Sequence, residues 1–319
     1  MMRMANLRIC SLWVVVVLTA IGGCTRMAPL PPVDRAALKP KTSVELQQYL
    51  VEHEPELELF KSRGPFAVST QQNRELRLSA KERIQSDWYL SAPPEKAPLV
   101  IFVHGHDSSK AAHSNQAAHL ASWGMHSMSV QLPPRGPWSN NGRTLGRLVS
   151  AIQRSPGIID SRIDPSKIIL VGHSFGATAV AVALASGAPA AGGILLDPAA
   201  IGREIPSLLR RVERPIMILG GDDELYSTRN REYFFNYIRT GVAEVSVKDA
   251  IHEDAQYPSD YALKNGGVDP NTTEELQIAF VSGLTAAAMS LAATGGFDYA
   301  WTSFGPAFDN GKFFNPKKK

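Results

Sequence analysis

Three kinds of residue in this chain have the chemistry to attack a carbonyl together: a serine in a glycine-framed turn, a histidine far downstream, and aspartates at the ends of apolar runs. Ser174 is the centre of Gly172-His173-Ser174-Phe175-Gly176, which follows the apolar run KIILV and precedes ATAVAVALA. A G-x-S-x-G at a strand-to-helix turn forces the serine into a strained, exposed position, and the glycines let strand and helix backbones approach closely. A serine hydroxyl is protonated at neutral pH and needs a base. His252, in DAIHEDAQYP, is the histidine expected in a loop after the last parallel strand, VAEVSVK. His173 is expected to point away from the serine and to pack. His53 precedes the sheet, and His113, His119 and His126 read as helix-face or strand-start residues.

The base needs a carboxylate that fixes its tautomer and stabilises its charged form. Two strand ends supply one: GGDDE after PIMIL, with Asp222 and Asp223, and LLDP after GGIL, with Asp197. Charge developing on an attacked carbonyl oxygen needs preorganised N–H donors. The backbone of Phe175, directly after the serine, is one candidate. The other is His106 in HGHDSS, where Gly105 allows a turn that aims the His106 N–H inward. His104, His106 and His113 are conceivable metal ligands, but no carboxylate or cysteine is placed to complete a set, so neither metal nor cofactor is expected.

These residues must be positioned by the elements around them. Strand and helix signals alternate from Leu99 onward: LVIFV, SMSVQL, KIILV, GGILL, PIMIL and VAEVSVK read as strands, separated by helical AAHSNQAAHLASW, TLGRLVSAI, ATAVAVALA and NREYFFNYI. Apolar residues on consecutive strand positions indicate a parallel sheet covered on both faces. Two antiparallel strands are expected between Phe66 and Leu90, and TEELQIAFVSGLTAAAMSLAA reads as a last long helix. The C-terminal FNPKKK reads as a solvated tail whose lysines could touch anionic lipid.

The 319 residues are 44% hydrophobic, enough for a real core, with a formal charge of +3. Arg3 and Arg8 contribute to that excess from the extreme N-terminus, so no polyanion partner such as nucleic acid is implied. MMRMANLRICSLWVVVVLTAIGGC has a basic start, an apolar stretch too short for a typical membrane span, and small residues before a cysteine, which is signal-peptide anatomy. Cys10 and Cys24 are the two cysteines, so a chain beginning at Cys24 would carry no disulfide. Residues 25 to 42 are proline-rich and suit a tether.

Ile21-Gly22-Gly23-Cys24 resembles the lipobox of bacterial lipoproteins, in which the cysteine is acylated. That resemblance implies a signal peptide over 1–23, lipidated Cys24 with a tether over 24–42, and a domain over 43–319 held at a cell-envelope membrane. Thr25 is not the aspartate of an inner-membrane retention signal, which favours the outer membrane in a Gram-negative host. From about Leu99 to His252 the chain resembles an α/β-hydrolase, with its HG loop, GHSFG elbow, acid region and late histidine. FVHGHDSS, HLASWGM, VGHSFGA and ILLDPA resemble the group of bacterial polyester hydrolases and cutinases, chlorophyllases and platelet-activating-factor acetylhydrolases. This resemblance implies an α/β fold and cofactor-free ester hydrolysis through an acyl-enzyme, with Ser174 as nucleophile and His252 as base. Polyester hydrolases carry the acid at the position of Asp223, whereas the acetylhydrolases and chlorophyllases resemble this chain at LLDP, which points to Asp197. The superfamily's commoner arrangement favours Asp223, with Asp197 as the alternative. A thioesterase or amidase would use the same residues, and a non-catalytic envelope lipoprotein would keep only the fold. No long insertion separates GGILLDP from PIMILGG, so an open acyl site without a large lid is expected. Oligomeric state is not encoded in any of these features.

Overall fold

A computed structural model describes residues 42–53, 56–93, 95–222, 230–239 and 241–319. The apolar leader, Cys24 and the proline-rich segment lie outside the described residues, as does Asp223. Nine strands form one sheet in the order β1-β2-β4-β3-β5-β6-β7-β8-β9. They are β1 (Val68–Arg77), β2 (Arg83–Ser91), β3 (Ala97–Val103), β4 (His126–Gln131), β5 (Ile163–His173), β6 (Gly192–Leu196), β7 (Ile216–Gly220), β8 (Val242–Val247) and β9 (Phe313–Lys318). The central β4-β3-β5-β6-β7-β8 run is parallel, and β1 and β2 form an antiparallel edge.

Consecutive apolar residues in the central strands feed two layers because side chains alternate across a sheet. Val100 and Phe102 of β3 join one core with Ile169 and Val171 of β5, while Leu99, Ile101, Val103, Ile168 and Leu170 join the other. The first core is covered by α1 (Ser43–His53), α2 (Leu57–Phe60), α3 (Ser114–Ser122) and α9 (Glu274–Thr294). The second is covered by α4 (Trp138–Arg154), α5 (Phe175–Ala185), α6 (Ile205–Leu209) and α7 (Asn230–Tyr237). A further short helix, α8 (Asp260–Asn265), leads out of the His252 loop. Among the described residues α9 is the one helix long and apolar enough to cross a membrane, but 78% of its apolar window is buried in the protein. A helix apolar on all sides is what the interior of a large domain requires.

The C-terminus departs from the expected solvated tail. Phe313–Lys318 pairs antiparallel with β8, with Phe313 opposite Val247 and Lys317 opposite Glu244. Phe313 is buried against Phe304 and beside Gly283 of α9. That one aromatic anchor, with the unpaired edge of β8 to satisfy, outweighs the lysine-rich composition.

Candidate active site

All the sequence-predicted groups that the structure describes gather at the carboxyl end of the parallel strands, where open α/β sheets place their sites. Ser174 follows β5 and begins α5 with φ 53° and ψ −127°, a left-handed conformation that serine rarely adopts. The turn is held from both sides: Ser174 N–H donates to the Leu196 carbonyl (3.2 Å), and its own carbonyl accepts from Ala177 and Ala199 (3.0 Å each). Glycine is required on either flank. A Cβ on Gly172 would lie 2.6 Å from the Gly176 carbonyl oxygen, and one on Gly176 would lie 2.4 Å from that of Val103.

The loop after β3 closes over this elbow. A Cβ on Gly105 would sit 2.9 Å from Ser174 Cβ, so the absent side chain is what lets the loop approach the hydroxyl. Among the described residues neither the His106 nor the Phe175 backbone N–H donates to a backbone carbonyl outside the regular elements. The His106 ring stands edge-on to Phe175 (5.9 Å between centroids), and Phe175 in turn lies 5.8 Å from Trp138. His104 is buried and committed to the loop backbone, its ring nitrogens bonded to Gly105 and Leu132. No three His, Cys, Asp or Glu side chains converge to hold a metal among the described residues.

His252 opens a 3₁₀ turn after β8, and its Nδ1 lies 2.5 Å from Asp197 Oδ2. Asp197 follows β6, the strand next to β5, and is itself left-handed at φ 35°. Its other oxygen accepts from the Gly221 N–H (3.0 Å) and lies 3.7 Å from Arg231 Nε. Asp197 and Arg231 are both buried. Burial pushes the Asp197 carboxyl up, but the His252 hydrogen bond and charge, with Arg231 and Gly221, hold it below the usual carboxylate value. Burial likewise pulls His252 down, yet Asp197 raises it above 6.5.

Of the two candidate acids, the structure describes one. The Nδ1 position of His252 is filled by Asp197, whereas the favoured Asp223 is outside the described residues. Its neighbour Asp222 is occupied elsewhere: Oδ2 accepts from Lys248 Nζ (2.8 Å) and from the Asp249 N–H (3.0 Å), tying β7 to β8.

His173 does more than pack away from the serine. Its ring lies 4.5 Å from that of His252, and its Nε2–H donates to the His252 carbonyl at 3.2 Å. Burial, then the neighbouring His252 and His113, drives its pKa well below 6.5, so it stays neutral and does not oppose charge on His252. The remaining supports were not singled out from sequence. Gln116 donates to the Ala255 carbonyl and Gln277 to that of Gln256 (3.0 Å each). Asp254 accepts from the N–H groups of Ile251 (2.9 Å) and Thr273 (3.2 Å). Arg231 carries a faint signal at Gly220, where an added Cβ would lie 1.7 Å from Arg231 Nη1.

A helix-flanked, mostly parallel sheet with a serine at a strand-to-helix elbow and a histidine–aspartate pair on the same edge defines the α/β-hydrolase class of architecture. The chain belongs to the alpha/beta hydrolase family, whose family model matches residues 100–303, and is by that membership a hydrolase. No curated protein matches it in sequence.

Proposed function

We propose that this protein is a serine esterase that hydrolyses carboxylic esters through an acyl-enzyme, held at a membrane by acylated Cys24. The 2.5 Å contact between His252 Nδ1 and Asp197 Oδ2 carries this reading. An imidazole proton on Nδ1, donated to that carboxylate, supports an Nε2 lone pair that takes the Ser174 proton. Ser174 Oγ then attacks the ester carbonyl, and the oxyanion accepts hydrogen bonds from the His106 and Phe175 N–H groups. The C–O bond to the alcohol breaks as His252 returns its proton to that oxygen. Water, deprotonated by the same histidine, releases the acid and restores Ser174.

Only α6 and its flanking loops lie between β6 and β7 among the described residues, which supports an open acyl site rather than one beneath a large lid. A fluorophosphonate should label the chain at Ser174, and short activated esters should be cleaved. Full esterase activity in Ser174→Ala would overturn the proposal. A panel of esters, thioesters and amides of increasing acyl length then separates substrate classes, and cleavage of long chains alone would contradict the open site.

A further inference from the structure

The amino end of the sheet, opposite Ser174, carries a charge distribution that hydrolysis does not use. A cavity of about 700 Å³ lies between the carboxyl end of α5 and the loops entering β7 and β8, lined by Arg210, Arg211, Arg214 and Arg239 with Glu213 as its one acid. All four arginines are exposed. A second cleft of about 450 Å³ shares Ser186, Gly187 and Ala188 with the first and adds Arg154, also exposed. Among the described residues none of these five guanidinium groups has a salt bridge or a side-chain hydrogen bond, whereas Arg147, which also lines the second cleft, is paired with Glu82. Arg210 is stacked on Tyr237 at 4.8 Å, which leaves its planar edge for an outside acceptor. Lys319 pairs through its backbone with Val242, the first residue of β8, and so reaches the same end, but its Nζ is already engaged, donating to the Asn236 carbonyl and lying over the Phe235 ring.

The described chain also begins at this end. Ser43 N–H donates to Glu95 Oε1 (2.9 Å), two residues before β3, and the Ser43 hydroxyl faces Gly124, two residues before β4. The acyl anchor proposed above would join the described domain at this amino-end face. Arginine forks match phosphate oxygens in pairs, and exposed guanidinium groups without internal partners lose nothing by meeting them.

We propose that this arginine face docks on the phosphate-bearing headgroups of an anionic lipid surface and points Ser174 away from it. The proposal adds an orientation to the membrane reading above and rests on the acyl anchor only for proximity. Each arginine near an anionic surface strengthens attachment severalfold, and salt screens the effect.

The test reconstitutes the full chain into vesicles of phosphatidylcholine alone or mixed with phosphatidylglycerol and follows amide hydrogen exchange. Residues 205–214 and 236–239 should exchange at least about tenfold more slowly on the anionic vesicles, with residues 251–258 unchanged. High salt should remove that protection, as should the combined substitution of Arg210→Gln, Arg211→Gln, Arg214→Gln and Arg239→Gln. Equal exchange on both vesicle types overturns the proposal. Failure to float on neutral vesicles overturns the acyl anchor instead. Docking is then read from flotation on anionic vesicles at low salt, expected for the wild type and weakened about a hundredfold in the fourfold variant. Equal flotation of the two again overturns it.

Discussion

At the carboxyl end of the sheet buried Asp197 stands between buried Arg231 and half-buried His252, whereas at the amino end Arg210, Arg211, Arg214 and Arg239 stand in solvent around a single glutamate. The backbone differs in the same sense. Gly105, Gly172 and Gly176 are squeezed between neighbouring atoms, while Gly187, in the basic face, has φ +82° and nothing within 4 Å of an added Cβ. Buried charges must be aimed at one another to offset desolvation, so one end of the molecule is over-determined and rigid. Exposed charges carry no such demand and remain available to a partner.

The largest break in this contrast comes from the proposed nucleophile. Ser174→Ala should lower kcat by about 10⁴-fold or more while leaving the circular dichroism spectrum and melting temperature nearly unchanged. Asp197→Asn should cost about 10⁴-fold through the wrong histidine tautomer, and Asp223→Asn less than about threefold. Measured in parallel, a reversed order would return the orienting role to Asp223.

The glycines sharpen the comparison through stability. Gly176→Ala must move the Val103 or His104 carbonyl, at 2.4 and 2.6 Å from the new Cβ, and should cost on the order of 3 kcal/mol, read as a melting-temperature loss of about 6–12 °C. Gly187→Ala meets only the left-handed backbone penalty of about 1 kcal/mol. Equal losses at the two sites would remove the distinction between a packed and an open end.

Acidity distinguishes the ends more gently. His252 must be neutral to accept the serine proton and its pKa is raised above 6.5, so kcat/KM should fall as pH drops through a value above 6.5. Asp197, held below 3.8, stays ionised across that range. Stability also responds to pH. Buried His113, His119 and His126 are pulled down to about 4, 3 and 4 from 6.5, mainly by desolvation, so between those limits the unfolded chain binds more protons. The melting temperature should therefore decline between about pH 7 and pH 4.5. His252 works in the opposite sense, its stabilisation present below 6.5 and lost as pH rises through its folded value. A flat melting profile would count against burial of the three neutral imidazoles. The smallest effect belongs to the basic face: Arg211→Gln should change kcat on a soluble ester by less than about twofold.

Much of this was legible in local sequence. KIILVGHSFGATAV specifies strand, strained turn and helix within one stretch, because the short continuous apolar run, the glycines and the small helical residues each act over a few neighbours. The HGH loop and the late His252 followed from the same alternation of strands and helices. The acid did not. LLDP and GGDDE are equivalent as strand-end aspartates, and only the side-by-side placement of β5 and β6 brings Asp197 under the imidazole while Asp222 is drawn to Lys248.

What the sequence by itself determined is therefore the class of the fold, together with the proposal of Ser174 as nucleophile and His252 as base, since each is written in contiguous residues whose chemistry and spacing are interpretable alone. Tertiary structure decided which carboxylate partners His252, that His173 braces it, that Arg231 stands behind Asp197, and that the C-terminal lysine run ends in a strand. It also collected arginines from three separate loops and helix ends onto one face. These pairings join residues far apart in the chain, and their free energy depends on burial and distance, which exist only once the sheet has formed.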